Sequence, residues 1–170
     1  MIRLSLNFRR LLALVLLACS GLLVSCDDEN LPYLPAFYLE MGKSFSSFDK
    51  STEYTLPVSE KSYMVFSEPI VPPWSVSNVE AVRVESGLLA LRFYFDRVGD
   101  RDLYRNSVTN MGRMIITVVD GEAIGARQID GALQGGVFYT FTELSDAEVM
   151  EMLPKMQESI RKLNELKRDR

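Results

Sequence analysis

The stretch that decides the fold is Asp96–Glu143, DRVGDRDLYRNSVTNMGRMIITVVDGEAIGARQIDGALQGGVFYTFTE. It opens on Asp96, whose carboxylate can accept from the free N–H groups of a first helical turn and favours the positive end of a helix. Tyr104, Val108 and Met111 then recur at i, i+4 and i+7 and predict one buried stripe, with Arg97, Asp100, Arg101, Asp102, Arg105 and Asn106 on a wet face. Gly112 stops that helix. Met114–Val119 is β-branched and almost wholly apolar, as expected for an inner strand covered on both faces. Asp120-Gly121 turns it back, because a type I′ turn needs φ > 0 at both central residues, and Glu122 to Ile129 is the return strand.

Working outward, Val79 to Glu85 and Leu88 to Phe95 flank Ser86-Gly87 as a second hairpin. Leu89, Leu91, Phe93 and Phe95 alternate with Ala90, Arg92, Tyr94 and Asp96, so one face is core and the other mostly wet. The run Phe93-Tyr94-Phe95 is accounted for by core packing and needs no ligand platform. On the other side, Gly131, Gly135 and Gly136 do not make a phosphate loop. No Gly-Lys-Ser/Thr follows, and Val137 to Glu143 is a strand where a helix N-terminus would have to meet the anion. Ser145-Asp146-Ala147-Glu148 is a capping box that opens the last helix. Pro154 either kinks that helix or ends it at Leu153 and restarts it. Upstream, Ala36–Met41, Tyr54 to Val58 and Ser62 to Phe66 are extended, Gly42 to Lys50 is a Ser-rich loop, and Pro72-Pro73-Trp74-Ser75 starts a short helical turn. Pro57 assigns its strand to a sheet edge.

These pieces stand in an order that resembles a known family. Phe95-Asp96-Arg97-Val98-Gly99, Asn110-Met111-Gly112-Arg113, Val118 to Ala126, Gly135-Gly136 before a strand and Phe141-Thr142 before an acidic helix resemble the head of the first periplasmic domain of SecD, the membrane subunit that assists protein export. The resemblance is collinear from about Ser67 to Leu153. It implies an α+β fold, an antiparallel-rich sheet with helices packed on one face, and a role in engaging an unfolded secretory polypeptide or translocase subunits. The chain lacks SecD's transmembrane helices, the base of that periplasmic domain, and a charged membrane residue that could couple to a proton gradient.

The N-terminus has the layout of a secretory signal peptide over residues 1–25: Arg3, Arg9 and Arg10, then an apolar run from Leu11 to Val24. That run is shorter than the roughly 20 residues of a membrane span. It ends in Leu23-Val24-Ser25-Cys26, which resembles a bacterial lipobox and implies lipidation at Cys26. Leu16-Leu17-Ala18-Cys19 fits the same pattern, but Cys26 meets the polar boundary. Residues 26–35 read as a tether, 36–153 as the SecD-head-like domain, and 154–170 as a C-terminal amphipathic helix. The membrane is thus a partner through a lipid anchor on the extracytoplasmic side of the cell envelope, inner or outer. Removal of residues 1–25 leaves 16 basic against 23 acidic side chains, a balance of −7 that makes nucleic acid and anionic headgroups poor partners.

The chain contains no His, and its one remaining Cys is the acylation site, so activated Ser or Cys nucleophiles and His-rich zinc sites are absent. The carboxylate pairs Asp100/Asp102 and Glu148/Glu151 are expected on exposed helix faces, where no acid is tuned. No catalytic, cofactor or metal residue is expected. The sequence reads as a non-enzymatic binding module, the alternative being a structural or adaptor envelope lipoprotein with no export role. The stripe Met156, Ile160 and Leu163 must bury against its own sheet, a second copy or a partner, and the oligomeric state stays open.

Overall fold

The computed structural model describes residues 31–42, 50–85 and 87–169. Residues 1–25, Cys19, Cys26, Asp27, the loop 43–49 and Ser86 of the second hairpin turn lie outside them. Six strands make one fully antiparallel sheet in the order β1-β6-β7-β8-β5-β4, namely β1 (Ala36–Leu39), β4 (Val76–Arg83), β5 (Leu89–Phe95), β6 (Met114–Val119), β7 (Glu122–Gln128) and β8 (Val137–Thr142). A separate two-stranded ribbon pairs β2 (Ser51–Thr55) with β3 (Ser62–Phe66). Among the described residues two helices, α1 (Arg97–Thr109) and α2 (Asp146–Arg168), complete an α+β domain.

β6 is the inner strand its sequence demands. Ile115 and Val119 face the main core with Phe37, Leu91, Phe93 and Phe138, while Ile116 and Val118 face a second, smaller core that the ribbon closes with Leu56 and Val65. Phe37 anchors the main core, its ring set edge-on to Phe93, Phe95 and Phe138 at centroid distances of 5.0, 5.3 and 5.5 Å. Burying each such side chain contributes on the order of 2 kcal/mol. The β6–β7 turn has φ of 53° at Asp120 and 81° at Gly121, the two positive values of a type I′ turn. A Cβ at Gly125 would overlap the Phe141 carbonyl oxygen, so only glycine lets β7 approach β8 there.

α2 runs unbroken through Pro154, opened by the reciprocal Ser145 and Glu148 bonds of a capping box. Val149, Met156 and Ile160 are buried in the main core, with Leu153 packed against it. The stripe beyond Pro154 is therefore covered by the domain itself. The helix also closes a sheet edge: Gln157 Nε2 donates to the Val79 carbonyl (3.0 Å) and Asn164 Nδ2 to that of Ser77 (3.4 Å), both on β4. At the other end of the chain, Tyr33 and Leu34 pack against the core and Pro35 is buried, so the last residues of the segment read as a tether lie on the domain.

The first helix corrects the sequence reading. Tyr104, Val108 and Met111 are 45%, 47% and 55% exposed, whereas Gly99, Asp102, Leu103 and Ser107 are buried. The helix is turned over relative to its hydrophobic stripe because polar bonds and close contact seat it. Ser107 Oγ accepts the Leu133 N–H (2.9 Å), Asp100 Oδ1 accepts the Gly136 N–H (2.8 Å), and Asn106 Nδ2 donates to the Ile70 carbonyl (3.3 Å). Gly99 has no room for a side chain, since a Cβ there would stand 2.9 Å from the Cβ atoms of Ser75 and Phe95. Asp100 and Asp102 thus do not share an exposed face.

Candidate functional site

The ribbon covers only the β1, β6 and β7 half of the sheet's outer surface, and β8, β5 and β4 leave theirs open. Register sets out that open half in rows. Val82, Ala90 and Phe141 lie side by side, then Glu80, Arg92 and Tyr139, then Asn78, Tyr94 and Val137. In the middle row the Arg92 guanidinium bonds Glu80 Oε2, and Tyr94 OH donates to that oxygen at 3.0 Å. The guanidinium carbon also stands 5.2 Å from the centroid of the Tyr94 ring. The bond from Arg92, helped by Tyr94, holds the Glu80 carboxyl below its ordinary range and pushes the Arg92 guanidinium up. That ion pair stays charged across the physiological range and ties the two side chains together across β4 and β5.

The open half ends in a split. β7 and β8 pair only at Gly125↔Thr142 and Ala126↔Phe141. Beyond these the strands diverge, and the Tyr139 carbonyl takes Arg127 Nη1 (3.3 Å) in place of a strand partner. In an antiparallel ladder alternate residues bond to opposite neighbours. Phe95 N–H donates to Gly136 on the β5 side (2.8 Å), and Glu143 N–H to Ile124 on the β7 side (2.9 Å). Val137 and Tyr139 accordingly direct their backbone groups into the split. The cleft there has a volume of about 500 Å³ and is lined by Val84, Ala126, Arg127, Gln128, Tyr139 and Phe141 among others. Phe141 is 43% exposed. An extended peptide bonding to one strand edge and laying alternate apolar side chains on a half-open aromatic surface matches such a site.

This fold is similar to that of SecDF. A structure of SecDF, a membrane component that enhances protein export, superposes with a TM-score of 0.56 at 14% identity, covering 74% of this chain and 62% of that one. SecDF in its super-membrane-facing form gives a TM-score of 0.55 at 14% identity, over 74% of this chain and 19% of that one. The SecD-like fold implied by Gly112 to Gly125 and its flanks is thereby shown. No known family profile matches the chain, and no curated protein matches it in sequence.

Of the residues singled out in the sequence, Cys26 lies outside the described residues, Glu148 and Glu151 are exposed, and Asp102 is buried beside Arg101 (3.2 Å). Glu148 is committed to the α2 cap and Glu151 to Lys155 (2.9 Å). Among the described residues no helix is long and apolar enough to cross a membrane. Sequence reasoning missed Arg127, Tyr139 and Phe141. The alternation of Val137–Thr142 carries a signal for the last two, since positions 139 and 141 are aromatic as well as the buried Phe138.

Proposed function

We propose that this chain is a non-enzymatic, extracytoplasmic lipoprotein, acylated at Cys26, whose SecD-like domain binds an extended polypeptide along the β8 edge of the split. The carrying observation is the juxtaposition of β8 backbone that has no strand partner at Val137 and Tyr139 with the exposed ring of Phe141. Such an edge recognises main chain irrespective of sequence, which suits a protein that meets many secretory chains, and the aromatic rows reward apolar residues at every second position. Likeness to a component that enhances protein export supports a translocating chain or a translocase subunit as the polypeptide. The alternative is an adaptor with no export role; the chain spans 62% and 19% of the lengths of the two SecDF chains it matches.

The test is a photo-crosslinker at Tyr139 in living cells, with Met150 on the far helix as the control position. Crosslinks from Tyr139 to newly made secretory proteins, lost when export is blocked upstream, support the proposal. Crosslinks only to one resident envelope protein outside the translocase support the adaptor. Equal labelling from Tyr139 and Met150 removes the cleft from consideration.

A further inference from the structure

On the β8-edge reading, on which this inference rests, an incoming polypeptide finds one of its acceptors already taken. The Tyr139 carbonyl accepts Arg127 Nη1 at 3.3 Å, where an added strand would place an N–H. Register explains how the side chain comes to lie there. Arg127 pairs with Ile115 on β6, so its Cβ lies on the face that Ile115 and Phe138 share, in a stretch where β7 no longer pairs with β8. The guanidinium occupies that gap, its carbon 5.7 Å from the centroid of the fully buried Phe138 ring. Two features make this plug exchangeable. Its bond to Tyr139 is longer than the roughly 3.0 Å of an ordinary N–H···O bond. A second acceptor also stands in the same cleft: Asp130 Oδ1 is 3.6 Å from Arg127 Nη2, and this exposed carboxylate has no other bond or ion pair among the described residues.

We propose that Arg127 gates the β8 edge: it holds the Tyr139 carbonyl while the cleft is empty, and an extended polypeptide binds by taking that carbonyl with its own N–H as Arg127 swings to Asp130. The exchange conserves hydrogen bonds. One N–H donor replaces another at the carbonyl, and the released guanidinium closes on a carboxylate instead of being left unpaired. Movement of the arm also uncovers the Phe138 ring for an apolar side chain of the incoming strand. The gate discriminates by shape. A folded surface has no free strand to insert beside β8 and leaves the arm in place, whereas an unfolded chain supplies the N–H that displaces it.

The probe is an uncharged octapeptide of alternating Thr and Val, fluorophore-labelled and titrated by anisotropy against the full chain in non-ionic detergent. Arg127→Met keeps an apolar stem over Phe138 but donates nothing, so it should bind the peptide about tenfold tighter than the parent, the worth of one hydrogen bond that no longer has to be exchanged. Asp130→Asn has the opposite sign. It removes the partner of the open arm and should weaken binding by about threefold, and in the Arg127→Met background it should have no effect. Asp130 is exposed, so this variant keeps the fold whatever Arg127→Met does to it. A purely structural Arg127 gives a lower Tm with affinity unchanged or reduced, which overturns the gate. So does an Asp130→Asn effect that persists beside Arg127→Met, or equal binding of the same peptide N-methylated at every residue. Parent-strength binding by Arg127→Met leaves the β8 edge standing without its gate; a peptide that binds neither the parent nor Arg127→Met removes the edge and the gate together.

Discussion

Asp96 and Lys167 join the two helices across 71 positions of sequence: Asp96 Oδ2 lies 2.6 Å from Lys167 Nζ, while Oδ1 of the same carboxylate accepts the Val98 and Gly99 N–H groups at 3.0 Å each. One side chain caps the start of α1 and holds the end of α2. Asp96→Ala is expected to cost about 1 to 2 kcal/mol, most of it from the lost cap and a few tenths from the ion pair. Asp96→Asn should keep the cap and lose less. Denaturant melts of both variants check the order.

The same carboxylate makes stability depend on acid. Desolvation pushes its pKa up, but the Lys167 ammonium and the Gly99 N–H outweigh it and hold the group below its ordinary 3.8. A depressed folded pKa stabilises above the unfolded value, and that contribution fades as the pH falls through the folded one. Lys167→Met should therefore flatten the acid limb of the stability–pH curve, and an unchanged limb would remove the pair from the account.

Glu143 fastens the ribbon to the sheet, its Oε2 accepting from Val58 (3.0 Å) and Ser59 (2.9 Å) in the β2–β3 turn. Burial raises this carboxyl, yet the Ser59 and Val58 bonds bring it below its usual range, so the fastening weakens as the pH drops toward that value. Glu143→Gln keeps an acceptor but loses the charge. Hydrogen exchange at the ribbon amides should quicken by roughly tenfold, while exchange in β6 stays as it was.

Gly125→Ala sets a methyl group against the Phe141 carbonyl in the short stretch where β7 and β8 still pair. About 2 to 3 kcal/mol of destabilisation is expected, because the obstacle is backbone and cannot rotate away. A variant as stable as the parent would place these strands farther apart.

The anchor is checked by metabolic labelling with a clickable fatty acid. Cys26→Ala should abolish label and leave the precursor uncleaved, whereas Cys19→Ala should change neither. Label that persists without Cys26 moves the acylation site.

Where chain-local chemistry decides, the sequence was legible. Asp120-Gly121 required positive φ and has it, Ser145 and Glu148 cap as their spacing demands, and Asp96 accepts the bonds its position offers. The outward side of α1 was not legible, since hydrophobic period assumes that apolar area settles which face is buried. Here a stripe of three moderate side chains is outweighed by Leu103, by the clearance at Gly99, and by bonds to Ile70, Leu133 and Gly136, residues 26 to 36 positions away. The cleft was hidden for a related reason. It exists because β7 and β8 stop pairing after two residues, and no pattern within either strand records where its neighbour turns aside.

If the chain is anchored as proposed, the side-chain amides of Gln157 and Asn164 on the β4 carbonyls bear on how copies share a membrane. Molecules confined to two dimensions collide often and in few orientations, conditions that favour strand-to-strand polymerisation. With β4 plugged by α2, and the far margin of the sheet bridged to the ribbon through Glu40↔Val65 and the Met41 N–H to Met64 carbonyl bond (2.7 Å), neither border is a bare template for the next molecule. On the proposed reading, crowded copies then stay separate while the split inside the sheet remains open to an extended chain.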